Sequence, residues 1–143
     1  MSPNKFNVHP QLVADSHELF MWKSCHLRLN KNATLPWLII IPQTTEIEFH
    51  DLPNELQSEI TQVSRVVGDY FKKALVAEKI NFAAIGNVVQ QLHIHVIGRN
   101  RQDPLWPEVV WGQELPEKIY DNEQLKILVD TLKTCLTSLN KAN

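Results

Sequence analysis

The chain has 143 residues, of which 43% are hydrophobic and 21% are charged, and its formal net charge at pH 7 is -2. A chain of this length buries about two thirds of the surface that its unfolded form exposes, so it needs neither disulfides nor a metal in order to fold. The charge excludes the basic surface that is typical of nucleic-acid-binding proteins, so any phosphate must be bound by a local site. We expect a single domain over residues 1–143.

Cysteine use and hydropathy predict a cytoplasmic protein. Cys25 and Cys135 are far apart in the chain and form no CxxC pair, which predicts two buried or partly buried free thiols in a reducing compartment. The N-terminus lacks a basic patch followed by an apolar core, so no signal peptide is predicted. The longest apolar run, "PWLIIIP", is far shorter than the roughly 20 residues that span a bilayer.

The first predicted elements are the two arms of a hairpin. Residues 24–30, "SCHLRLN", alternate as in a half-buried strand, and turn-forming residues follow in "NKNATLPW". Residues 37–42, "WLIIIP", are continuously apolar and end at Pro42. This composition predicts a strand that is covered on both faces and is central to its sheet.

A long helix is predicted next, from about Pro53 to Ala77, with Asp51 as its N-cap. At 1.5 Å per residue it is about 37 Å long, which is enough to cross a sheet. Its apolar residues recur at spacings of three and four, as expected for one buried face: Leu56, Ile60, Val63, Val67, Phe71 and Leu75.

Two more strands, an irregular loop and a second helix complete the chain. The strands are predicted at residues 80–86 and 91–99, with a turn at Gly86 and Asn87 between them. A loop rich in proline and tryptophan follows, and residues 121–140 have the periodicity of a helix with Asp121 as its N-cap. The order strand, strand, helix, strand, strand, helix predicts an α+β fold, in which helices pack on an antiparallel sheet.

The stretch "QQLHIHVIGR" contains two histidines on one face of its predicted strand. Residues two apart on a strand point the same way, so Gln91, His93 and His95 form a polar row on a surface or in a cleft. The opposite face is apolar and is predicted to point to the core; it consists of Leu92, Ile94 and Val96.

Three explanations of the polar row remain open from these residues alone. The two histidines can be incidental on an exposed strand. They can bind a metal ion, which needs at least one more ligand, although none of the other histidines has a spacing that favours it; these are His9, His17, His26 and His50. In the third explanation one imidazole attacks phosphorus while its neighbour donates to phosphate oxygens.

The wider context resembles the histidine triad superfamily of nucleotide hydrolases and transferases, whose signature is His-x-His-x-His followed by two apolar residues. The resemblance is carried by "GNVVQQLHIHVIGR" and "LNKNATLPWLIIIP" and extends from about residue 20 to residue 111. A bacterial subset is closer still, through its glutamine at the first signature position and through "DPLWPEVVWG". The resemblance implies an antiparallel sheet of about five strands, crossed by one long helix and joined by a C-terminal helix.

The chain departs from the family pattern at two positions. Gln91 occupies the first signature position, and Trp37 stands five residues before Pro42, where the family commonly has a histidine. The resemblance implies that His93 attacks the α-phosphorus. It also implies that the backbone carbonyl of Gln91 accepts a hydrogen bond from Nδ1 of His93 and so keeps the proton on that atom. It also implies that His95 donates to a phosphate or bridging oxygen.

The resemblance also suggests contacts with the substrate. Asn87 matches a phosphate-binding amide of the family and is equally expected as a turn residue, while Asn30 and Asn81 match ribose or phosphate contacts less closely. Trp37 is a candidate substrate contact, although core packing is the simpler expectation for it and for Trp106 and Trp111. Arg99 and Arg101 are expected on the solvated surface.

These features predict a hydrolase, with nucleotidyl transfer as a variant, that favours dinucleoside polyphosphates such as diadenosine tetraphosphate. An amine leaving group must be protonated nearly in full. The loss of two family histidines is therefore expected to impair phosphoramidate cleavage more than polyphosphate cleavage. The alternative is a nucleotide-binding protein with little or no turnover. We expect no required metal or other cofactor, no nucleic-acid or membrane partner, and a homodimer.

Overall fold

A computed structural model describes residues 5–141 of the chain, in which five strands form one antiparallel sheet of order β1-β2-β3-β5-β4. The strands are β1 (Ser16–Trp22), β2 (Cys25–Asn30), β3 (Trp37–Pro42), β4 (Lys79–Ala83) and β5 (Ile94–Arg99). The α-helices are α1 (Pro10–Asp15), α2 (Asn54–Ala74) and α3 (Asn122–Lys141). The predicted α+β architecture is confirmed.

The main hydrophobic core lies between one face of the sheet and the two long helices. The central strands β2, β3 and β5 contribute Leu27, Leu29, Leu38, Ile40, Ile94 and Val96. The helices contribute Ile60, Val63, Val67, Phe71, Leu128, Leu132 and Leu136. The periodicity of both helices was therefore a correct guide to the face that they bury.

The sequence did not indicate α1 or β1. Helix α1 has six residues, which is too short for a periodic pattern to emerge. Strand β1 lies at the sheet edge, and its pairing with β2 shifts register between Glu18 and Phe20. Such a bulge interrupts the alternation by which a strand is recognised in a sequence.

One of the two predicted helix caps is wrong. Asp51 belongs to a separate 3-10 turn, Phe49–Asp51, and α2 begins only after Pro53, whose fixed φ suits the entry to a helix. The cap at Asp121 is confirmed: its Oδ1 accepts from the Gln124 N–H at 2.8 Å, and Gln124 Oε1 accepts from the Asp121 N–H at 2.9 Å. This reciprocal pair satisfies two N–H groups at the start of α3.

The connection between β4 and β5 is longer than predicted. Strand β4 ends at Ala83 and β5 begins at Ile94, so Gly86, with φ +69°, lies within a loop over residues 84–93. Pairing of Ala83 with His95 fixes where this loop closes. As a result Gln91 and His93 lie immediately before the strand that contains His95.

Arg99 does not lie on the solvated surface, which corrects the prediction. Its side chain is 2% exposed and donates from Nε to Asp103 Oδ2 at 2.8 Å and from Nη1 to Asn81 Oδ1 at 3.1 Å. Burial acts to raise the pKa of Asp103, but hydrogen bonds from Arg99 and from backbone N–H groups lower it below its ordinary value. The pair anchors the irregular loop to the end of β5. Arg101 is exposed, as predicted.

The two cysteines differ in their exposure to solvent. Cys25 is buried as predicted, whereas Cys135 is exposed, which corrects the prediction for the second thiol. Within residues 5–141, no helix has the length and apolar character needed to cross a membrane.

Breaking the buried ion pair is expected to destabilise the fold strongly. Asp103→Ala leaves the Arg99 charge buried without its partner, which costs about 3–5 kcal/mol in the free energy of unfolding. Arg101→Ala is the matched control, since its exposed pair with Glu78 contributes less than about 1 kcal/mol. Chemical denaturation measures both, and equal losses in the two variants would contradict the assignment.

Candidate active site

His93 and His95 lie on the face of the sheet opposite α2 and α3. In the register of β3 and β5, Ile39 pairs with His95 and Trp37 pairs with Ile97, so these four side chains share one face. The side chains on the other face of the signature segment, Leu92, Ile94 and Val96, lie in the main core as predicted. The histidines are nevertheless buried, at 7% and 6% exposure, which identifies a cleft and excludes an exposed strand face.

The Nδ1 atom of His93 lies 2.7 Å from the backbone carbonyl oxygen of Gln91. A carbonyl oxygen can only accept a hydrogen bond, so Nδ1 carries the proton. In the neutral ring the Nε2 atom then has a free lone pair, which is the state that a nucleophilic imidazole requires. This is the contact that the resemblance implied, and it depends on the backbone of Gln91 and not on its side chain.

His95 is held in the opposite tautomer by Trp37. The indole Nε1 of Trp37 lies 2.9 Å from Nδ1 of His95. An indole N–H can only donate, so Nδ1 of His95 is the acceptor and its proton is on Nε2. Trp37 thus contacts a site histidine and is not a simple packing residue.

The two neighbouring imidazoles therefore have complementary Nε2 atoms. Their ring centroids are 4.9 Å apart, with an angle of 76° between the rings. His93 offers a lone pair and His95 offers an N–H. A phosphate held by both can be attacked at phosphorus by one ring while the other stabilises charge on oxygen.

Aromatic rings surround His95 and keep it neutral. Trp37 and Trp111 meet its ring edge-on, with centroids at 5.7 and 5.2 Å. Burial, and secondly the nearby His93, lower the pKa of His95 from 6.5 to about 4. The Trp37 hydrogen bond also disfavours protonation of His95, because a proton on Nδ1 would point at the indole N–H of Trp37. At neutral pH His95 is thus uncharged and donates a hydrogen bond from Nε2.

Both histidines open into a cavity of about 300 Å3. Its remaining walls come from α1, β2, β3, the loop of residues 84–93 and the loop between β5 and α3: Gln11, Leu12, Asp15, Asn30, Trp37, Ile39, Ile85, Gly86, Asn87, Val88, Val89 and Trp111. Among these described residues Asp15 is the one acidic side chain and none is Lys or Arg. A larger open groove of about 910 Å3 is lined by Gln91 but by neither histidine, so we assign the site to the smaller cavity.

The cavity contains only part of the residue set that the sequence suggested. Asn30, Asn87 and Trp37 line it together with the histidines. Asn81 lines a different cavity and accepts a hydrogen bond from Arg99. The side-chain amide of Gln91 also points elsewhere, onto the backbone of the N-terminal segment.

The remaining histidines lie outside this cavity. His9 caps α1, His17 lies edge-on to Tyr120, His26 stacks on Phe6, and His50 lies beside Asp51. Within the part of the chain that the structure describes, no three His, Cys, Asp or Glu side chains are grouped so that they could hold a metal ion.

No sequence pattern indicated the wall that α1 contributes. Gln11, Leu12 and Asp15 line the cavity, and Gln11 donates to both carboxylate oxygens of Asp15 at 3.0 Å. A helix of six residues is too short to show a period in the sequence. These positions could therefore be identified only from the structure. Trp111 was expected to pack, and it packs on the site itself.

Comparison with known proteins agrees with this geometry. The sequence-family model of the HIT domain matches residues 11–102, which is more than half of the chain. The chain belongs to the histidine triad family. No curated protein matches this histidine triad protein in a sequence search.

Solved structures of other histidine triad proteins share its fold. One from Marinobacter aquaeolei VT8 is 36% identical, with a TM-score of 0.82, and the match covers 94% of this chain and 98% of that one. One from Sinorhizobium meliloti 1021 is 34% identical, with a TM-score of 0.81 and coverage of 90% and 96%. One from Bradyrhizobium japonicum is 28% identical, with a TM-score of 0.78 and coverage of 91% and 97%.

Removal of the indole N–H is expected to raise the pKa of His95. Trp37→Phe retains an aromatic ring but leaves Nδ1 of His95 free to bind a proton, so the pKa of His95 rises from about 4 toward 6.5. A net hydrogen bond of about 0.5–1.5 kcal/mol corresponds to a rise of about 0.4–1.1 in the pKa. Titration of the ring signals by NMR measures this change.

Trp111→Phe is the matched control for this titration. It removes an indole from the same aromatic cluster but leaves the hydrogen bond between Trp37 and His95 in place. A smaller change in the pKa of His95 is therefore expected. An unchanged pKa in Trp37→Phe, or equal changes in the two variants, would contradict the role of the Trp37 hydrogen bond.

Proposed function

We propose that this protein is a nucleotide phosphate hydrolase that acts at the α-phosphate through a covalent nucleotidyl-His93 intermediate, with transfer of the nucleotidyl group to another acceptor as a variant of the same chemistry. The observation that supports this most directly is the pair of opposite tautomers. A lone pair on His93 and an N–H on His95 face one cavity, and both are fixed by hydrogen bonds before any substrate arrives.

The proposed reaction has two displacements at phosphorus. Nε2 of His93 forms a bond to the α-phosphorus while the bond to the leaving phosphate oxygen breaks, and Nε2–H of His95 donates to an oxygen on which charge develops. Water then attacks the same phosphorus and gives up one proton to bulk solvent, the P–N bond breaks, and the bonding electron pair returns to Nε2 of His93. The products are a nucleoside monophosphate and the remaining phosphate chain.

The cavity walls suit a nucleotide in this orientation. Leu12, Ile39 and Val89 offer apolar surface to a flat base, and Asn87 and Asn30 offer amides to phosphate or ribose. We leave Asn81 out of these contacts, because it lines a different cavity. A cavity without Lys or Arg in its described lining binds the α-phosphate through neutral donors, so the polyphosphate chain is expected to extend toward solvent.

The site supports a preference for leaving groups of low basicity. Neither the Gln91 amide nor the Trp37 indole can relay a proton, and His95 is neutral at pH 7, so it donates a hydrogen bond to the leaving oxygen but does not protonate it in full. A nucleotide or pyrophosphate leaves as a weakly basic anion, whereas an amine must be protonated nearly in full.

We therefore expect diadenosine tetraphosphate to be cleaved faster than an adenosine phosphoramidate. The expected ratio of kcat/KM is about a hundredfold, the usual size of a general-acid contribution. A panel of both substrate types on one enzyme preparation measures it. Faster turnover of the phosphoramidate would contradict the proposed leaving-group preference.

The donor set supports a reaction that requires no metal or other cofactor. Nδ1 of each site histidine is already engaged in a hydrogen bond, so that these histidines could bind a metal only through their Nε2 atoms, one of which carries a proton. Among the described residues, no third His, Cys, Asp or Glu side chain is grouped with them closely enough to complete a metal site. Zinc sites in proteins need at least three protein ligands. We accordingly propose that turnover persists in a chelator.

The covalent intermediate is tested by trapping. Protein is mixed with α-32P-labelled ATP in EDTA, quenched in alkali and digested, and label is expected on the peptide that contains His93. His93→Ala should lose the label and reduce kcat by on the order of a thousandfold or more. His50→Ala, which replaces an exposed histidine outside the cavity, is the control and should label normally.

The trapping result also separates the hydrolase from a nucleotide-binding protein without turnover. Nucleotide binding without label and without activity would support the binding protein. Equal rates for the native protein and His93→Ala would exclude His93 as the nucleophile.

We further propose that the protein forms a homodimer. Strand β4 is an edge of the sheet, and Phe82 on it is 52% exposed beside a groove formed with α2. Free strand edges with exposed aromatic side chains are suited to pairing with a second chain.

A further inference from the structure

Gln91 makes two side-chain hydrogen bonds to the backbone of the N-terminal segment. Its Oε1 atom accepts from the N–H of His9 at 2.8 Å, and its Nε2 atom donates to the carbonyl of Asn7 at 2.9 Å. These partners are more than 80 positions away in the chain. The amide therefore joins the segment before β5 to the segment before α1.

The segment that Gln91 holds begins the wall of the cavity. Nδ1 of His9 accepts from the N–H of Gln11 at 3.0 Å, and the carbonyl of His9 accepts from Val13 at 3.1 Å, which together form the start of α1. Helix α1 then places Gln11, Leu12 and Asp15 in the cavity. Leu12 packs on Ile39 and Ile41 of β3 and closes this wall onto the sheet.

We propose that Gln91 is a positioning residue that builds the nucleoside end of the cavity, and that it takes no part in proton transfer. Its backbone carbonyl fixes the tautomer of His93 and its side-chain amide holds the wall that α1 contributes, so replacing the side chain removes the second contact and leaves the first in place. This inference rests on the proposed function for the identity of the ligand, and it predicts that loss of the amide weakens nucleotide binding more than it slows chemistry.

The chemistry of the two contacts explains why an amide fits this position. The segment presents one N–H and one carbonyl, at His9 and Asn7, and a glutamine side chain offers one acceptor and a donor on a single planar group. Glutamate would place a second acceptor opposite the Asn7 carbonyl, and alanine would leave both backbone groups without this partner. Gln91 is not among the residues that line the cavity of His93 and His95.

Gln91→Ala and Gln91→Glu test the proposal, with Gln90→Ala as the matched control on the adjacent, exposed glutamine. Hydrogen exchange of the His9 amide needs no substrate, and it is expected to accelerate about tenfold or more in Gln91→Ala. KM for diadenosine tetraphosphate, and Kd for AMP, are expected to rise about fivefold to fiftyfold, with kcat changed by less than about twofold.

The control and the second variant complete the design. Gln90→Ala should match the native protein in hydrogen exchange at His9, KM, kcat and Kd for AMP. Gln91→Glu keeps the acceptor for His9 and should give smaller increases in KM and Kd than Gln91→Ala. It also tests the proposal if the alanine variant folds poorly, because it still raises KM and Kd above their native values.

Three results would overturn the proposal. The first is a fall in kcat at unchanged KM, which would give the amide a role in chemistry. The second is unchanged exchange at His9, and the third is faster exchange with unchanged Kd for AMP. Because exchange and AMP binding are measured without turnover, they test Gln91 even if trapping at His93 fails, so the two proposals fail separately.

Discussion

The site depends on the hydrogen bond from the indole of Trp37 to Nδ1 of His95. Two imidazoles that are buried side by side can each expose a lone pair or an N–H, and without fixed partners they would exchange between these states. The indole can only donate and the Gln91 carbonyl can only accept, so the two rings are fixed in opposite states. With its pKa lowered to about 4 by burial and by His93, His95 stays neutral and adds no charge that would repel the proton on its neighbour.

The sheet makes this arrangement possible because β3 and β5 are antiparallel neighbours. Their register sets Trp37 opposite Ile97, one diagonal step from His95, on the face that the long helices leave free. At the end of β5, the ion pair of Arg99 with Asp103 turns the chain into the loop that returns Trp111 to His95. A buried charge pair thus holds the loop that contains Trp111, and neither Arg99 nor Asp103 lines the cavity.

The sequence predicted the parts of the molecule that follow from local periodicity. Alternation identified the face that contains His93 and His95, and helical spacing identified the buried faces of α2 and α3. It could not predict contacts between distant segments. The burial of Arg99 depends on Asp103 and on Asn81 across the sheet edge, and the direction of the Gln91 amide depends on a segment more than 80 residues earlier. Short or bulged elements such as α1 and β1 have no period to read.

The most direct test of the account is the tautomeric state of the two histidines in the free protein. Two-dimensional 15N–1H NMR of the imidazole rings near pH 7 distinguishes a protonated from an unprotonated nitrogen at each position. We predict that His93 is protonated at Nδ1 and not at Nε2, and that His95 is protonated at Nε2 and not at Nδ1. The same tautomer in both rings, or a doubly protonated His95 at this pH, would contradict it.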